Sequence, residues 1–175
     1  SGELGTEPKK TNSKLYTDEN PIDSVEYKKK IDLLKDINEY ARKLDNRTRQ
    51  VSISLSGSHQ VINILRPSGE ILEDVRPLVR LNISITLEHN GKKETGSVGL
   101  GGRSLYGNFF TEEVWKSEVK KSLEQANIML DAKAAPAGEQ TVVLGPGWPG
   151  ILLHEAIGHG SVSYTHLRAH ETIAD

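Results

Sequence analysis

A run of strictly alternating apolar and polar residues constrains the fold of this chain more than any other feature. Apolar side chains occupy every second position from Val79 to Leu87, and the dipeptide Asn90-Gly91 follows shortly after. Such alternation is typical of a β-strand with one buried face, and Asn-Gly is a favoured sequence for a type I′ hairpin turn. The pattern predicts an antiparallel hairpin whose second strand covers Lys93 to Val98.

The same alternation occurs earlier in the chain. Val51, Ile53 and Leu55 alternate with serines, and a second apolar run covers residues 61–65. Gly57-Ser58 lies between the two runs, and this dipeptide favours a tight turn. Two successive hairpins predict an antiparallel sheet of about four strands.

Two stretches with apolar residues three and four positions apart predict amphipathic helices. The first begins near Asp23 or Ser24 and ends near Asp45, and the second begins after Thr111. Their apolar stripes are Tyr27, Ile31, Leu34, Ile37, Ala41 and Leu44 in the first and Trp115, Val119, Leu123, Ala126 and Leu130 in the second. A short strand at 141–144 and a last helix from Pro149 complete the pattern. The predicted fold class is α+β, with helices packed on the antiparallel sheet.

Composition excludes several classes of function. The chain has 22 Lys and Arg against 24 Asp and Glu, so no basic field attracts nucleic acid. It contains no cysteine, which excludes disulfides and thiolate chemistry within these residues. No apolar run approaches the ~20 residues of a membrane helix. We expect no nucleic-acid or membrane partner and a cytoplasmic location.

The segment with recognisable chemistry is His154-Glu155-Ala156-Ile157-Gly158-His159, an HExxxH motif. In the commoner HExxH motif, histidines four positions apart lie on one helix face and reach a single zinc ion. Histidines five apart on a regular helix diverge by about 140°. One π-type turn would return them to the same face, and Gly158 lowers the cost of that distortion. The sequence therefore predicts a locally widened, metal-binding helix.

These residue types support a specific chemistry at a metal ion. His154 and His159 are candidate zinc ligands, and a further protein ligand is required. Glu155, adjacent to a ligand, is the candidate general base for a water molecule that zinc polarises. The alternative interpretation is a pair of interior histidines satisfied by hydrogen bonds without metal.

The run from Val142 to Gly160 resembles the zinc-helix region of the TldD/PmbA family of metallopeptidases. Residues 74–81, 99–103 and 134–138 resemble other segments of the family in the same order, so the likeness covers about residues 20–160. The resemblance implies a zinc peptidase acting on unfolded or flexible peptides, with His154 and His159 as metal ligands and Glu155 as the catalytic acid/base. It also implies a hetero-oligomer with a PmbA/TldE-like paralogue.

The resemblance suggests three parts along the chain. Residues 1–22 are expected to form a linker or residual N-terminal segment. Residues 23–160 correspond to part of the TldD-like N-terminal region, including the HExxxH helix. Residues 161–175 resemble nothing in the family and are interpreted as an unrelated tail. Family members are longer, and the resemblance implies a cysteine ligand from a C-terminal domain, so we expect this fragment to be inactive by itself.

Two other functions stay open at this point. The chain could be a non-catalytic interaction fragment that docks on a PmbA-like partner. It could also be an unrelated HExxxH zinc peptidase of the dipeptidyl-peptidase III kind, which requires a further glutamate ligand downstream.

A glycine cluster, Gly99 to Arg103, lies beside a cation. Such a loop can direct backbone amides toward an anion or a passing peptide, or it can be a mobile linker. Arg76 and Arg80 are interpreted as strand-surface cations or salt-bridge partners and are left out of the site.

Overall fold

The structure is a computed structural model that describes residues 9–10 and 15–159. The chain divides into two compact units, one ending at Lys133 and one beginning at Ala134. The first unit contains β1 (Lys9–Lys10), α1 (Tyr27–Leu44), β2 (Thr48–Leu65), β3 (Ile71–His89), β4 (Lys92–Gly102), a 3₁₀ turn (Tyr106–Phe110) and α2 (Glu112–Asp131). The second unit contains α3 (Pro149–Leu153), which continues directly into a π-helix (His154–His159).

β3 is the central strand of the sheet. It pairs antiparallel with β2 from Thr48–Leu87 to Leu65–Ile71, and with β4 from Val79–Gly102 to His89–Lys92. The two-residue β1 lies parallel to β3 beside Leu72. The predicted α+β class is confirmed, with three long antiparallel strands and one short parallel strand in place of about four antiparallel strands.

The predicted turn at Gly57-Ser58 is wrong, because β2 passes through this dipeptide without a break. Gly57 lies opposite Val79 in the ladder. A Cβ atom at residue 57 would overlap the hydroxyl of Tyr106. The glycine is therefore explained by the close approach of a distant side chain and not by a turn.

The predicted hairpin turn between β3 and β4 is confirmed. Asn90 and Gly91 both have positive φ, at 51° and 78°, as a type I′ turn requires. The partner strand is longer than predicted, because Gly99 to Gly102 belong to β4 and do not form a loop. The short strand predicted at 141–144 is not formed.

α1 and α2 pack on one face of the sheet, and their apolar stripes form the core with the odd-numbered residues of β3. α1 begins at Tyr27, a few residues after the predicted start, and α2 begins directly after Thr111 as predicted. The rings of Tyr40 and Trp115 meet edge to face, with centroids 5.5 Å apart, and join the two helices. The core comprises Leu33, Ile37, Ala41, Val79, Leu81, Ile83, Ile85, Leu87, Tyr106, Phe109, Trp115, Val119, Leu123 and Ala126.

α2 lies against the backbone of β4 at Gly96. A Cβ atom at residue 96 would overlap the carbonyl oxygen of Ser122. The Ser122 hydroxyl donates to the Gly96 carbonyl oxygen at 2.8 Å, and the Gln125 side-chain oxygen accepts from the Ser97 amide at 2.8 Å. The absence of a side chain at Gly96 thus allows the helix to hydrogen-bond to the strand directly.

The described part of residues 1–22 contacts the sheet. The Tyr16 hydroxyl donates to Asp74 at 3.3 Å, and the backbone oxygen of Asp18 lies 3.1 Å from His59 Nε2. Pro21 is fully buried. His59 lies inside β2, opposite Pro77. The predicted tail at 161–175 lies outside the described residues.

Candidate metal centre

The candidate metal-binding residues lie on a helix that proline initiates. Pro149 occupies its first turn, where a missing backbone N–H costs nothing. The backbone amides of Gly150 and Ile151 donate to the carbonyl oxygens of Gly147 and Trp148, at 2.8 and 2.9 Å. These bonds close the first turn of α3, and the chain enters the π-helix five residues later.

The π-helix covers the HExxxH motif from His154 to His159, so the predicted widening of the helix is confirmed. The two imidazole rings meet edge to face, with centroids 4.8 Å apart and planes at 82°. The His154 ring lies over Gly158, where a Cβ atom would be 3.4 Å from Nδ1. The extra residue in the turn therefore places both rings on one face.

Glu155 lies beside this pair. Its Oε2 atom is 3.7 Å from His159 Nε2, and one donor atom from each of His154, Glu155 and His159 lies within 4.8 Å of the other two. Imidazole nitrogen and carboxylate oxygen are donors that zinc accepts. The residues present therefore fit a divalent metal ion. Within the described ranges, no other group of His, Asp and Glu side chains of this size could hold one.

The three side chains are exposed, so the histidines of the described chain do not form the interior pair of the alternative interpretation. The exposed fraction is 63% for the His159 side chain and 61% for Glu155. Their apolar neighbours Ile151, Leu153 and Ile157 are exposed as well. The physical reason is length: the described residues from 134 to 159 are too few to enclose a core of their own.

Sequence comparison identifies the family. Residues 20–130 match the PmbA/TldA metallopeptidase central domain. The chain belongs to the PmbA/TldD metallopeptidase family. It is 46% identical over 151 residues to the metalloprotease TldD homolog of Haemophilus influenzae. The aligned region covers 83% of this chain and 31% of that protein. It is 40% identical over 166 residues to the metalloprotease TldD homolog of Buchnera aphidicola subsp. Acyrthosiphon pisum, covering 91% of this chain and 34% of that protein.

Membership in this family has two consequences for the site. The chain spans about a third of the length of these TldD relatives, at 31% and 34%. A continuous stretch covering 91% of this chain includes His154–His159 wherever it begins, so the likeness to the Buchnera protein extends across the metal helix. The alternative of an unrelated HExxxH peptidase is set aside. Nowhere in the described residues is a helix both long and apolar enough to cross a membrane.

The three arginines Arg76, Arg80 and Arg103 have different partners in the structure. Arg76 Nε donates to Asp74 at 2.5 Å, and this contact raises the pKa of the Arg76 guanidinium. The Arg103 guanidinium lies over the Tyr16 ring, 5.4 Å from its centroid. Arg80 projects from the face of the sheet opposite the helices. Arg76 and Arg103 therefore contact a carboxylate and an aromatic ring, whereas Arg80 donates from Nε to the side-chain oxygen of Asn82.

Proposed function

We propose that this chain contributes the metal-binding helix of a zinc-dependent peptidase that hydrolyses peptide bonds in unfolded or flexible peptides. The observation that supports this proposal is the π-helix, in which His154 and His159 lie side by side with Glu155 next to them. The family of metallopeptidases to which the chain belongs agrees with a metal-dependent hydrolase.

His154 and His159 are the proposed zinc ligands, each through one ring nitrogen. A catalytic zinc site uses three protein ligands and leaves one position open. The 175 residues contain no cysteine, and the Haemophilus relative is about three times as long, since the chain covers 31% of it. We therefore expect the remaining ligand to come from the part of such a protein that this chain does not cover.

Glu155 is the proposed acid/base. Bound zinc would polarise the scissile carbonyl and a water molecule at neutral pH. The Glu155 carboxylate takes a proton from that water as it attacks the carbonyl carbon, and then delivers the proton to the leaving amine. Glu155 directly follows His154 and lies on the same widened turn as both histidines. Its Oε2 atom is 3.7 Å from His159 Nε2, so its carboxylate lies near the proposed ligands.

The partner and location belong to the same proposal. The likeness of residues 142–160 to the zinc-helix region of the TldD/PmbA family supports a hetero-oligomer with a PmbA/TldE-like paralogue in the cytoplasm. Co-purification of a tagged longer protein that contains this sequence with the paralogue from the same cells tests the partnership. Recovery of the tagged protein alone would contradict it.

The decisive variant for the chemistry is Glu155→Gln in a longer protein that contains this sequence. We expect zinc content to be unchanged and hydrolysis of an unstructured fluorogenic peptide to fall about 10³-fold, since only the proton carrier is removed. Zinc is measured by mass spectrometry and cleavage by fluorescence. Full activity would exclude Glu155 as the base, and loss of zinc would identify it as a ligand.

The same samples separate the non-catalytic alternative. A wild-type protein that binds the paralogue yet contains no zinc and cleaves no peptide would favour the interaction fragment. Zinc and cleavage together would exclude that alternative.

A further inference from the structure

The sheet has an open face opposite α1 and α2, and between Arg80 and Thr86 of β3 its residues are mostly small and polar. Cross-strand hydrogen bonds join its hydroxyls, with Ser84 Oγ 2.9 Å from Ser97 Oγ and Thr86 Oγ1 2.8 Å from Thr95 Oγ1. This part of the open face comprises Ser52, Ser54 and Ser56 of β2, Arg80, Asn82, Ser84 and Thr86 of β3, and Thr95, Ser97, Gly99 and Gly101 of β4. Arg80 is the one long side chain in this set.

Glycines make room for the Arg80 side chain on this face. A Cβ atom at Gly99 would lie 2.6 Å from Arg80 Nη2 and 2.8 Å from Asn82 Oδ1. Gly101 lies directly opposite Arg80 in the ladder, and a Cβ atom there would overlap the Val79 carbonyl oxygen and lie 3.3 Å from the Arg80 Cβ. The guanidinium therefore lies over Gly99, where the strand has no side chain. Two close approaches explain the two glycines, that of the Arg80 guanidinium to Gly99 and that of the Val79 backbone to Gly101.

Asn82 orients the guanidinium. Its Oδ1 atom accepts from Arg80 Nε at 2.7 Å, and its Nδ2 atom donates to Ser54 Oγ at 3.1 Å. Because the hydrogen bond to Ser54 fixes the orientation of the Asn82 amide, its Oδ1 atom fixes the position of Arg80 Nε. Nε is used by this bond, and the Nη1 and Nη2 groups keep donors for a ligand.

Arg80 differs from most other arginines of the chain in its partners. Four of them form ion pairs with carboxylates: Arg47 with Asp45, Arg49 with Glu88, Arg66 with Glu70 and Arg76 with Asp74. Among the residues that the structure describes, no carboxylate lies within ion-pair distance of Arg80. Arg42 is a useful match, because its Nε also donates to an asparagine, Asn38 Oδ1 at 3.0 Å, but on the exposed surface of α1.

We propose that Arg80 binds a carboxylate of an extended peptide that lies on the open face. Two parallel N–H groups of a guanidinium match the two oxygens of a carboxylate, and Arg80 is already oriented for this pairing. The flat surface of serines, threonines and glycines accommodates an extended backbone without steric conflict. The carboxylate is the C-terminus of the peptide, which every peptide carries whatever its side chains.

The charges on the open face favour a carboxylate over nucleic acid. Two other cations on the same side of the sheet are paired, Lys93 with Glu88 at 3.7 Å and Arg76 with Asp74 at 2.5 Å. One free guanidinium supports one bidentate contact, whereas nucleic-acid binding needs several phosphate contacts. The net charge of −2 points the same way. The peptide class comes from the proposed function, but the binding step requires neither metal nor hydrolysis.

Three short labelled peptides of alanine, serine and glycine test the proposal on the 175-residue chain. One has a free C-terminal carboxylate, one is amidated, and one is amidated with a single central glutamate. Fluorescence anisotropy at low salt gives the dissociation constants. We expect the peptide with the free C-terminal carboxylate to bind about fivefold more tightly than the neutral peptide. A preference for the glutamate peptide alone would overturn the assignment of the carboxylate to the C-terminus.

Two variants assign the preference to Arg80. Arg80→Gln should remove it, whereas Arg42→Gln, the matched exposed arginine, should retain it. Gly99→Ala keeps the charge but displaces the guanidinium, so it should weaken the preference, whereas Gly107→Ala, where a Cβ atom meets nothing within 4 Å, should not. Circular dichroism melting checks that each variant is folded.

The binding assay is independent of the zinc proposal. The preference should be the same with and without a metal chelator, so loss of zinc chemistry leaves this result unaffected. Equal binding of all three peptides by the wild-type chain, or an unchanged preference in Arg80→Gln, would overturn the inference.

Discussion

The two units of the chain differ in where their apolar residues lie. In the first unit Ile83 and Ile85 are 1% and 0% exposed, whereas in the second unit Ile157 and Trp148 are 62% and 82% exposed. The candidate catalytic and metal-binding side chains are all in the second unit. In the described structure the buried apolar core therefore lies in the first unit and the candidate metal site in the second, and we expect the two units to respond to different substitutions.

The local shape of the second unit depends on its backbone. Pro149 starts the helix, and the five-residue spacing of the histidines is accommodated by a π-turn next to Gly158. The first unit instead gains its stability from apolar area removed from water, at roughly 25 cal/mol per Å². Three predictions test this division and a fourth tests an ion pair within the first unit, beginning with the largest expected effect.

The substitution His159→Ala should reduce zinc binding and peptide hydrolysis without changing the unfolding free energy of the first unit. In a longer protein that contains this sequence, we expect zinc content to fall at least about tenfold and hydrolysis about 10³-fold, since a proposed zinc ligand is removed. Metal analysis and peptide cleavage measure these losses. In the 175-residue chain, urea unfolding should be unchanged, as it should be for His89→Ala, an exposed histidine of the first unit. A clear loss of stability in His159→Ala would contradict the division.

Ile83→Ala and Ile157→Ala compare the same substitution in the two units. Ile83 is 1% exposed in the core, so its truncation leaves a cavity and should cost about 2–5 kcal/mol of unfolding free energy. Ile157 is 62% exposed, and its truncation should cost less than about 0.5 kcal/mol. Urea denaturation gives both values. Similar losses would mean that the second unit has packing that its exposure does not reveal.

Gly96→Ala tests the close contact between α2 and β4. The added Cβ atom would overlap the Ser122 carbonyl oxygen, so the helix must move, and we expect a loss of about 1–3 kcal/mol. Gly145→Ala in the second unit is the control, because a Cβ atom there meets nothing within 4 Å. Thermal melting compares the two variants. Equal melting temperatures would show that α2 tolerates the displacement.

The smallest expected effect is the pH dependence of the Asp45 contact. Arg47 donates to Asp45 at 2.6 Å and lowers the pKa of its carboxyl below the ordinary value of 3.8. Arg47 also donates to Asn127 of α2 at 2.5 Å, so the ion pair joins the α1–β2 loop to the second helix. The stabilisation is present above pH 3.8 and is lost as pH falls through the lowered pKa.

Asp45→Asn should therefore cost about 0.5–1 kcal/mol at neutral pH, with the difference from wild type shrinking below pH 3.8. Urea unfolding across this pH range measures it. Glu39→Gln, at an exposed pair with Lys43 on α1, is the control and should change stability less. A difference that stays constant with pH would show that the Asp45 carboxylate is not the source.

Much of the fold was predictable from local patterns. The apolar stripes predicted α1 and α2, alternation predicted β3, and Asn90-Gly91 predicted the type I′ turn. These features depend on residues a few positions apart, whose geometry is the same in any protein. The widened helix at His154–His159 was predictable for the same reason, since only the spacing of two side chains was needed.

The glycines were the main source of error. Gly57 was interpreted as a turn and the cluster from Gly99 as a loop, but Gly57 lies within β2 and Gly99 to Gly102 lie within β4. Their lack of a side chain is explained by atoms far away in the sequence, the Tyr106 hydroxyl over Gly57 and the Arg80 guanidinium over Gly99. A local pattern cannot distinguish a glycine that permits a turn from one that permits a close approach.

The sequence by itself determined the helical stripes, the central strand, the type I′ turn and the spacing that requires a π-turn at the candidate metal ligands. Only the tertiary structure decided that β2 is one continuous strand, that the histidines are exposed in the described chain, and that Arg80 has no carboxylate partner there. The reason is physical: periodicity and spacing act over a few residues, whereas burial, close approach and charge pairing depend on which distant residues the fold brings together.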